Sequence, residues 1–112
     1  MMMELECKFD YHKSFHGKAQ IELYGDWGQN VRLYSYNTVV AVCGYICSER
    51  ADELGIEPDS YVCELLPYWD YSQTTMRHVR EFLRQFGFGH WTVPEIRKYA
   101  IQVEDGYLIE RP

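Results

Sequence analysis

The residues of this chain that could ligate a metal or attack a bond are few, and their spacing suits neither task. His12 and His16 stand four apart in "DYHKSFHGK". That spacing brings two zinc ligands to one face on a helix, but this stretch reads as a loop between strands. Cys43 and Cys47 repeat the spacing inside a strand-like run, which would hold them roughly 13 Å apart. No CxxC pair occurs. Nucleophilic catalysis needs a hydroxyl or thiol beside a base that a third group orients. The chain has no Gly-x-Ser-x-Gly elbow, and no cysteine sits next to a histidine. "GFGHW" at 87–91 has two glycines but no Lys-Ser/Thr after them, so it is a helix end and a tight link rather than a phosphate loop. The sequence therefore predicts a protein that is not an enzyme, with no catalytic residue, metal or cofactor.

Charge and aromatic surface remain. "WDYSQTTMRHVREFLRQFG" at 69–87 carries Arg77, Arg80 and Arg84. On a helix they fall within about 60° of each other, at one border of the apolar face, with His78 at the opposite border. Three uses compete for this row. It could track the phosphates of a nucleic acid. It could rim a protein interface. It could pair internally with Glu81, Glu95 or the acids of 49–59. Just upstream, "LPYWDY" sets Tyr68, Trp69 and Tyr71 beside Pro67 and Asp70. Aromatics with a polar tip suit a binding surface, or cover a sheet edge.

The charge is segregated along the chain. Residues 49–70 hold Glu49, Asp52, Glu53, Glu57, Asp59, Glu64 and Asp70 against Arg50 alone, a net of −6. The whole chain is also −6, while residues 71–98 are net +3. A net negative chain repels a polyanion at long range, which weakens the nucleic-acid use of the arginines. Because the arginines border the packed face, at least one is expected to bridge to the 49–59 acids.

The elements that must position these residues follow from periodicity. "ELECKF", "AQIELY" and "VRLYSY" alternate apolar and polar, as half-buried strands do. "TVVAVCGYI" is almost continuously apolar and β-branched, so it reads as a central strand, and "YVCELL" from Tyr61 as another. "YGDWGQN" is a turn. Ser48 and Gly55 bound a one- to two-turn surface helix that carries the acids. Ser72 caps a helix over 73–86 that Gly87 ends, with Met76, Val79, Phe82, Leu83 and Phe86 as its packed face. Thr92 to Glu95 form a capping box with Pro94 in the first turn, starting a shorter helix. Asp105-Gly106 signals a hairpin between Ile101–Glu104 and Tyr107–Glu110. This order predicts a single α+β domain over 1–112. Its antiparallel sheet would have five to six strands, with one long amphipathic helix and one or two short ones on one face.

At 112 residues and 46% apolar composition the chain can bury a core without staples. "MMMELECKFD" lacks the basic and apolar regions of a signal peptide, and no apolar run nears ~20 residues. The expected compartment is the cytoplasm, with Cys7, Cys43, Cys47 and Cys63 reduced.

"LYSYNTVVA" at 33–41, "LLPYWDYSQTTMRHVREFLRQFG" at 65–87 and "WTVPEIRK" at 91–98 resemble small proteins of plasmids, phages and integrative elements of Gram-positive bacteria. The resemblance rests mainly on the "YSxTTxRHVxxFL" core. Some small acidic proteins of such elements are type II anti-CRISPR proteins. The resemblance implies an inhibitor that binds an RNA-guided effector nuclease and blocks guide loading or DNA binding; the charge map, not the shared pattern, points to Glu49, Asp52, Glu53, Glu57 and Asp59 as the contact, since "SERADELGIEPDS" lies outside that pattern. It implies no catalytic residue. The alternatives are a nucleic-acid-binding accessory protein that uses Arg77, Arg80 and Arg84, or a mobile-element interaction module with no nuclease target.

Overall fold

The computed structural model describes residues 2–112. Seven strands, β1 (Met2–Glu4), β2 (Ala19–Tyr24), β3 (Asn30–Ser35), β4 (Thr38–Tyr45), β5 (Tyr61–Leu65), β6 (Ile101–Val103) and β7 (Gly106–Glu110), form one sheet in the order β1-β2-β3-β4-β5-β7-β6. Every neighbouring pair is antiparallel. Three helices join them: α1 (Ser48–Leu54), α2 (Gln73–Gln85) and α3 (Val93–Tyr99). The α+β class and the antiparallel sheet match the reading of the sequence. The sheet has seven strands, one more than the upper end of the expected five to six.

The register explains the core. Ala19, Ile21 and Leu23 of β2 face Ser35, Leu33 and Val31 of β3, so the alternating apolar positions share one side. Ala41 and Cys43 of β4, Cys63 and Leu65 of β5 and Ile109 of β7 continue that side. Val79, Phe82 and Leu83 of α2 and Ile96 of α3 close over it, all without solvent exposure. Burying side chains of this size stabilises by about 1.5–3 kcal/mol each before entropy is counted.

The helices do not share one face, which corrects the expectation. Val62 and Leu108 point to the other side of the sheet, and Ala51 of α1 packs on them with Ile46. Leu54, Ile56, Ile101 and Val103 border this second cluster. A short connection with only Ala51 and Leu54 as its apolar stripe needs little surface, and the far side of β5 and β7 supplies it.

Local signals set most element ends. Ser72 Oγ accepts from Thr75 N at 3.0 Å and starts α2. Phe86 closes that helix, and Gly87 follows in the left-handed region at φ 88°. Thr92 Oγ1 accepts from Glu95 N while Glu95 Oε1 accepts from Thr92 N, the reciprocal pair expected for α3. α1 instead starts at Cys47, which supplies no side-chain cap, so Ser48 is inside the helix. "ELECKF" is a strand only up to Glu4. Leu5 is buried, but the chain then leaves the sheet, and Phe9 is exposed.

The last hairpin turns on Glu104 and Asp105, with Val103 opposite Gly106, one residue earlier than the Asp-Gly signal suggests. Gly106 serves another purpose. A Cβ there would run into the Leu65 carbonyl oxygen, where β7 lies against β5. The obstacle is backbone, which cannot swing aside as a side chain can. Gly106→Ala is expected to destabilise the fold by more than about 2 kcal/mol in urea unfolding. A loss below about 0.5 kcal/mol would show that β7 can shift.

Candidate functional site

The structure separates the residues that the sequence singled out into three places. The arginine row lies on α2, on the inner side of the sheet. The N-terminal segment after β1 folds back over this helix. Glu81, fully covered, accepts from Phe9 N at 3.0 Å and Asp10 N at 2.7 Å through Oε1, and from Gln85 Nε2 at 2.6 Å through Oε2. Asp10 Oδ1 in turn accepts from His12 N at 2.9 Å and lies 2.8 Å from His12 Nδ1. Burial opposes the ionisation of Asp10, yet these hydrogen bonds and the charges of His12 and Arg77 hold its carboxyl below the usual range.

Each arginine meets this loop or the start of α3. Arg77 donates Nη2 to Tyr11 Oη at 2.9 Å and has Nη1 3.2 Å from His12 Nε2. Arg80 donates Nε to the Trp91 carbonyl at 3.0 Å. Arg84 places its guanidinium 4.5 Å from the centre of the Phe9 ring. No arginine of the row bridges to the 49–59 acids, or to Glu81 or Glu95, which corrects the expectation. The reason is tertiary. α1 carries Glu49, Asp52 and Glu53 on the opposite side of the sheet, and Glu57 and Asp59 follow it in the next loop.

The acids form the second place. Glu49, Asp52, Glu53, Glu57 and Asp59 are all exposed, and none takes part in an ion pair among the described residues. The cation of this stretch, Arg50, is used internally on Glu64 at 2.6 Å. Beside α1 opens a cleft of about 480 Å³ with Glu53, Glu64, Glu104 and Asp105 in its walls. Glu104 and Asp105 join the acidic surface only through the hairpin, so nothing local in the sequence marked them.

The aromatics form the third. Tyr68 and Tyr71 are 64% and 76% exposed, their rings 6.4 Å apart. Trp69 is not a surface group. It is 3% exposed and packs edge-on to Tyr107 at 5.8 Å. One side of the "LPYWDY" turn faces out and the other plugs the core. Tyr36 joins Tyr68 and Tyr71 around an apolar pocket of about 360 Å³ floored by Ser35 and Thr75. Tyr36 and Asn37 make the two-residue β3–β4 turn with φ of 51° and 69°. Both central residues of such a turn need positive φ, and Tyr68 is left-handed too, at 72°.

Behind that pocket lies a pair that sequence spacing hid. His78 Nδ1 is 2.8 Å from Ser35 Oγ, 43 positions away in the chain, and Ser35 also donates to Thr75 Oγ1 at 3.1 Å. His78 has no exposure, contrary to its expected place at the border of the apolar face. The Phe15 ring covers it edge-on at 4.5 Å, a contact from the N-terminal segment that helical periodicity does not register. Its Nε2 has no hydrogen-bond partner among the described residues, and so no orienting carboxylate. Burial lowers its pKa to about 4 against the pull of Asp10, leaving a weak base. Among the described residues no group of three or more His, Cys, Asp or Glu is arranged to hold a metal. Cys43 and Cys63 sit opposite each other across β4 and β5, both buried. Cys47 is exposed at the start of α1, outside the strand in which the sequence seemed to place it. No helix of the described residues is long and apolar enough to cross a membrane.

Fold and surfaces together define a small α+β domain whose chemistry-bearing groups are spread over separate faces rather than gathered into one pocket. Residues 3–98 match the model of a family of unknown function, DUF8033. The chain belongs to that family. No curated protein and no solved structure matches it.

The buried neutral His78 makes stability depend on pH. Its folded pKa of about 4 lies below the ordinary 6.5, so the unfolded chain binds more protons between these values. Stability is therefore full above pH ~6.5 and falls as the pH drops toward ~4, by up to about 3 kcal/mol. Denaturant midpoints should decline across this window, and the ring protons of His78 should titrate near pH 4 by NMR. Flat midpoints with a titration near 6.5 would contradict the burial.

Proposed function

We propose that this protein is a non-catalytic inhibitor encoded by a mobile element, which acts in the cytoplasm. In this reading it binds an RNA-guided effector nuclease and blocks guide RNA loading or DNA binding. One observation carries the reading. The five acids Glu49, Asp52, Glu53, Glu57 and Asp59 are exposed and take part in no ion pair among the described residues, while Arg50, the cation of that stretch, is already paired with Glu64. The charge that this stretch leaves for a partner is thus negative. A nuclease that holds a guide and its target does so in a strongly basic channel. An acidic face is steered toward such a channel and competes there with nucleic acid.

The cleft beside α1 extends this surface with Glu64, Glu104 and Asp105. Tyr68 and Tyr71 are exposed and would offer aromatic contact area, whereas Trp69 is buried in the core. Tracking of a nucleic acid by Arg77, Arg80 and Arg84 fits less well, because each guanidinium is already anchored.

Replacing Glu49, Asp52, Glu53 and Asp59 together by Lys is expected to abolish pull-down of the nuclease and its inhibition in a plasmid-interference assay. Gln at Arg77 should leave both within about threefold, in line with a half-buried group across the sheet from the acids. Unchanged capture by the charge-reversed protein would remove the acidic face from the interaction. A wild-type chain that neither captures the nuclease nor protects a plasmid would leave an interaction module with a different target.

A further inference from the structure

The groove between α2 and the loop after β1 gathers three guanidinium groups, none of them in an ion pair among the described residues. We propose that it is a phosphoryl-binding site, and that the phosphoryl group is carried by a nucleotide. The groove encloses about 270 Å³, between Arg77, Arg80, Arg84 and His90 on one side and Phe9 and Tyr11 on the other. Two carboxylates also line it, but both are already engaged. Glu81 holds the amides of Phe9 and Asp10 with one oxygen and Gln85 with the other. Asp10 holds the backbone and ring of His12. Among the described residues no carboxylate lies within ion-pair distance of the three arginines.

The anchoring of each arginine leaves donors open. Arg80 is fixed through Nε on the Trp91 carbonyl, so both of its Nη groups are unused. Arg84 rests on the Phe9 ring and donates no hydrogen bond among the described residues. Arg77 is held by Tyr11 and His12 and keeps Nε. A guanidinium presents its donors in a rigid fork that matches the oxygens of a phosphate. Immobilising it beforehand removes part of the entropy cost of binding. This anchoring, which argues against a surface that slides along a strand, favours a compact site for one anion.

The aromatic wall argues for a nucleotide over a bare anion. Phe9 is 51% exposed and Tyr11 81%, so a planar base has a ring face to stack on beside the anion. Arg77 and Arg84 are seven residues apart on the helix, roughly 10 Å, the reach of a phosphate with its sugar and part of a base. Within a chain of net charge −6 the site would work at short range, by hydrogen bonds, rather than by a long-range field. It is independent of the acidic face, from which the sheet separates it.

The full chain, labelled with nitrogen-15, tests the assignment by NMR titration with inorganic phosphate, adenosine monophosphate and a short single-stranded RNA. Saturable shifts are expected at the Phe9 and Asp10 amides and the Arg80 and Arg84 Nε signals. The monophosphate should bind about tenfold more tightly than phosphate, given the stacking of one base. Arg80→Gln and Arg84→Gln should each weaken it by about tenfold. Arg84 donates no hydrogen bond among the described residues, so that variant should fold, as a thermal melt would check. Tighter binding of RNA than of the monophosphate would place the phosphoryl group on a strand, the reverse on a free nucleotide, and either keeps the assignment. No saturable shift, shifts unchanged in both folded variants, or equal affinity for phosphate and monophosphate would overturn it.

Discussion

The covered carboxylate of Glu81 organises the side of this protein that carries α2. It sits where the helix turns its polar edge inward, and it receives two backbone amides from a segment about 70 residues upstream. Hydrogen bonds to a charged acceptor contribute about 1.5–3 kcal/mol each, and leaving such a buried group unpaired costs more. So the N-terminal segment cannot lift off cheaply. While it stays down, Phe15 seals His78, Asp10 orients His12, and Phe9 and Tyr11 form a wall opposite the arginines. One buried acid thus fixes both the cover of the helix and the shape of the groove beside it.

The sheet then acts as a divider. α2 and α3 cover one side of it and α1 the other, with separate apolar clusters beneath them. The acidic stretch and the arginine row adjoin in the chain, yet they face away from each other in the fold. Salt screening over roughly 8 Å at physiological ionic strength lets such surfaces act independently. Their opposite signs therefore do not cancel. The protein offers an open negative face and, behind it, a small arginine-lined groove. The tyrosine pocket near the β3–β4 turn is a third surface, held by backbone at positive φ that tyrosine adopts only under constraint from its surroundings.

Several sequence signals failed for reasons that can be stated. Gly106 looked like a turn residue because Asp-Gly commonly is one. Here a contact with the Leu65 carbonyl requires it, and that contact depends on which strand lies next door. His78 looked like a border residue because helical periodicity counts only the helix and the sheet below it. Phe15 arrives from elsewhere and widens the buried face. Trp69 looked like a partner of Tyr68 and Tyr71, but a tight turn sends successive side chains to opposite sides.

The sequence by itself determined what rests on local physics. Alternation placed β2 and β3, and apolar β-branched runs placed β4 and β5, nearly to the residue. The hydroxyls of Ser72 and Thr92 started α2 and α3, and the spacing of Val79, Phe82 and Leu83 chose the packed face. It also located the five free acids, because charged side chains on a short polar helix and the loop after it have nowhere to go but solvent. Only the tertiary structure decided which groups meet. It set Ser35 against His78, Glu81 against the backbone of Phe9 and Asp10, and the acids on the far side of the sheet from the arginines. Those pairings join positions distant in the chain. Side-chain periodicity reports which way a residue points, but not what will be there.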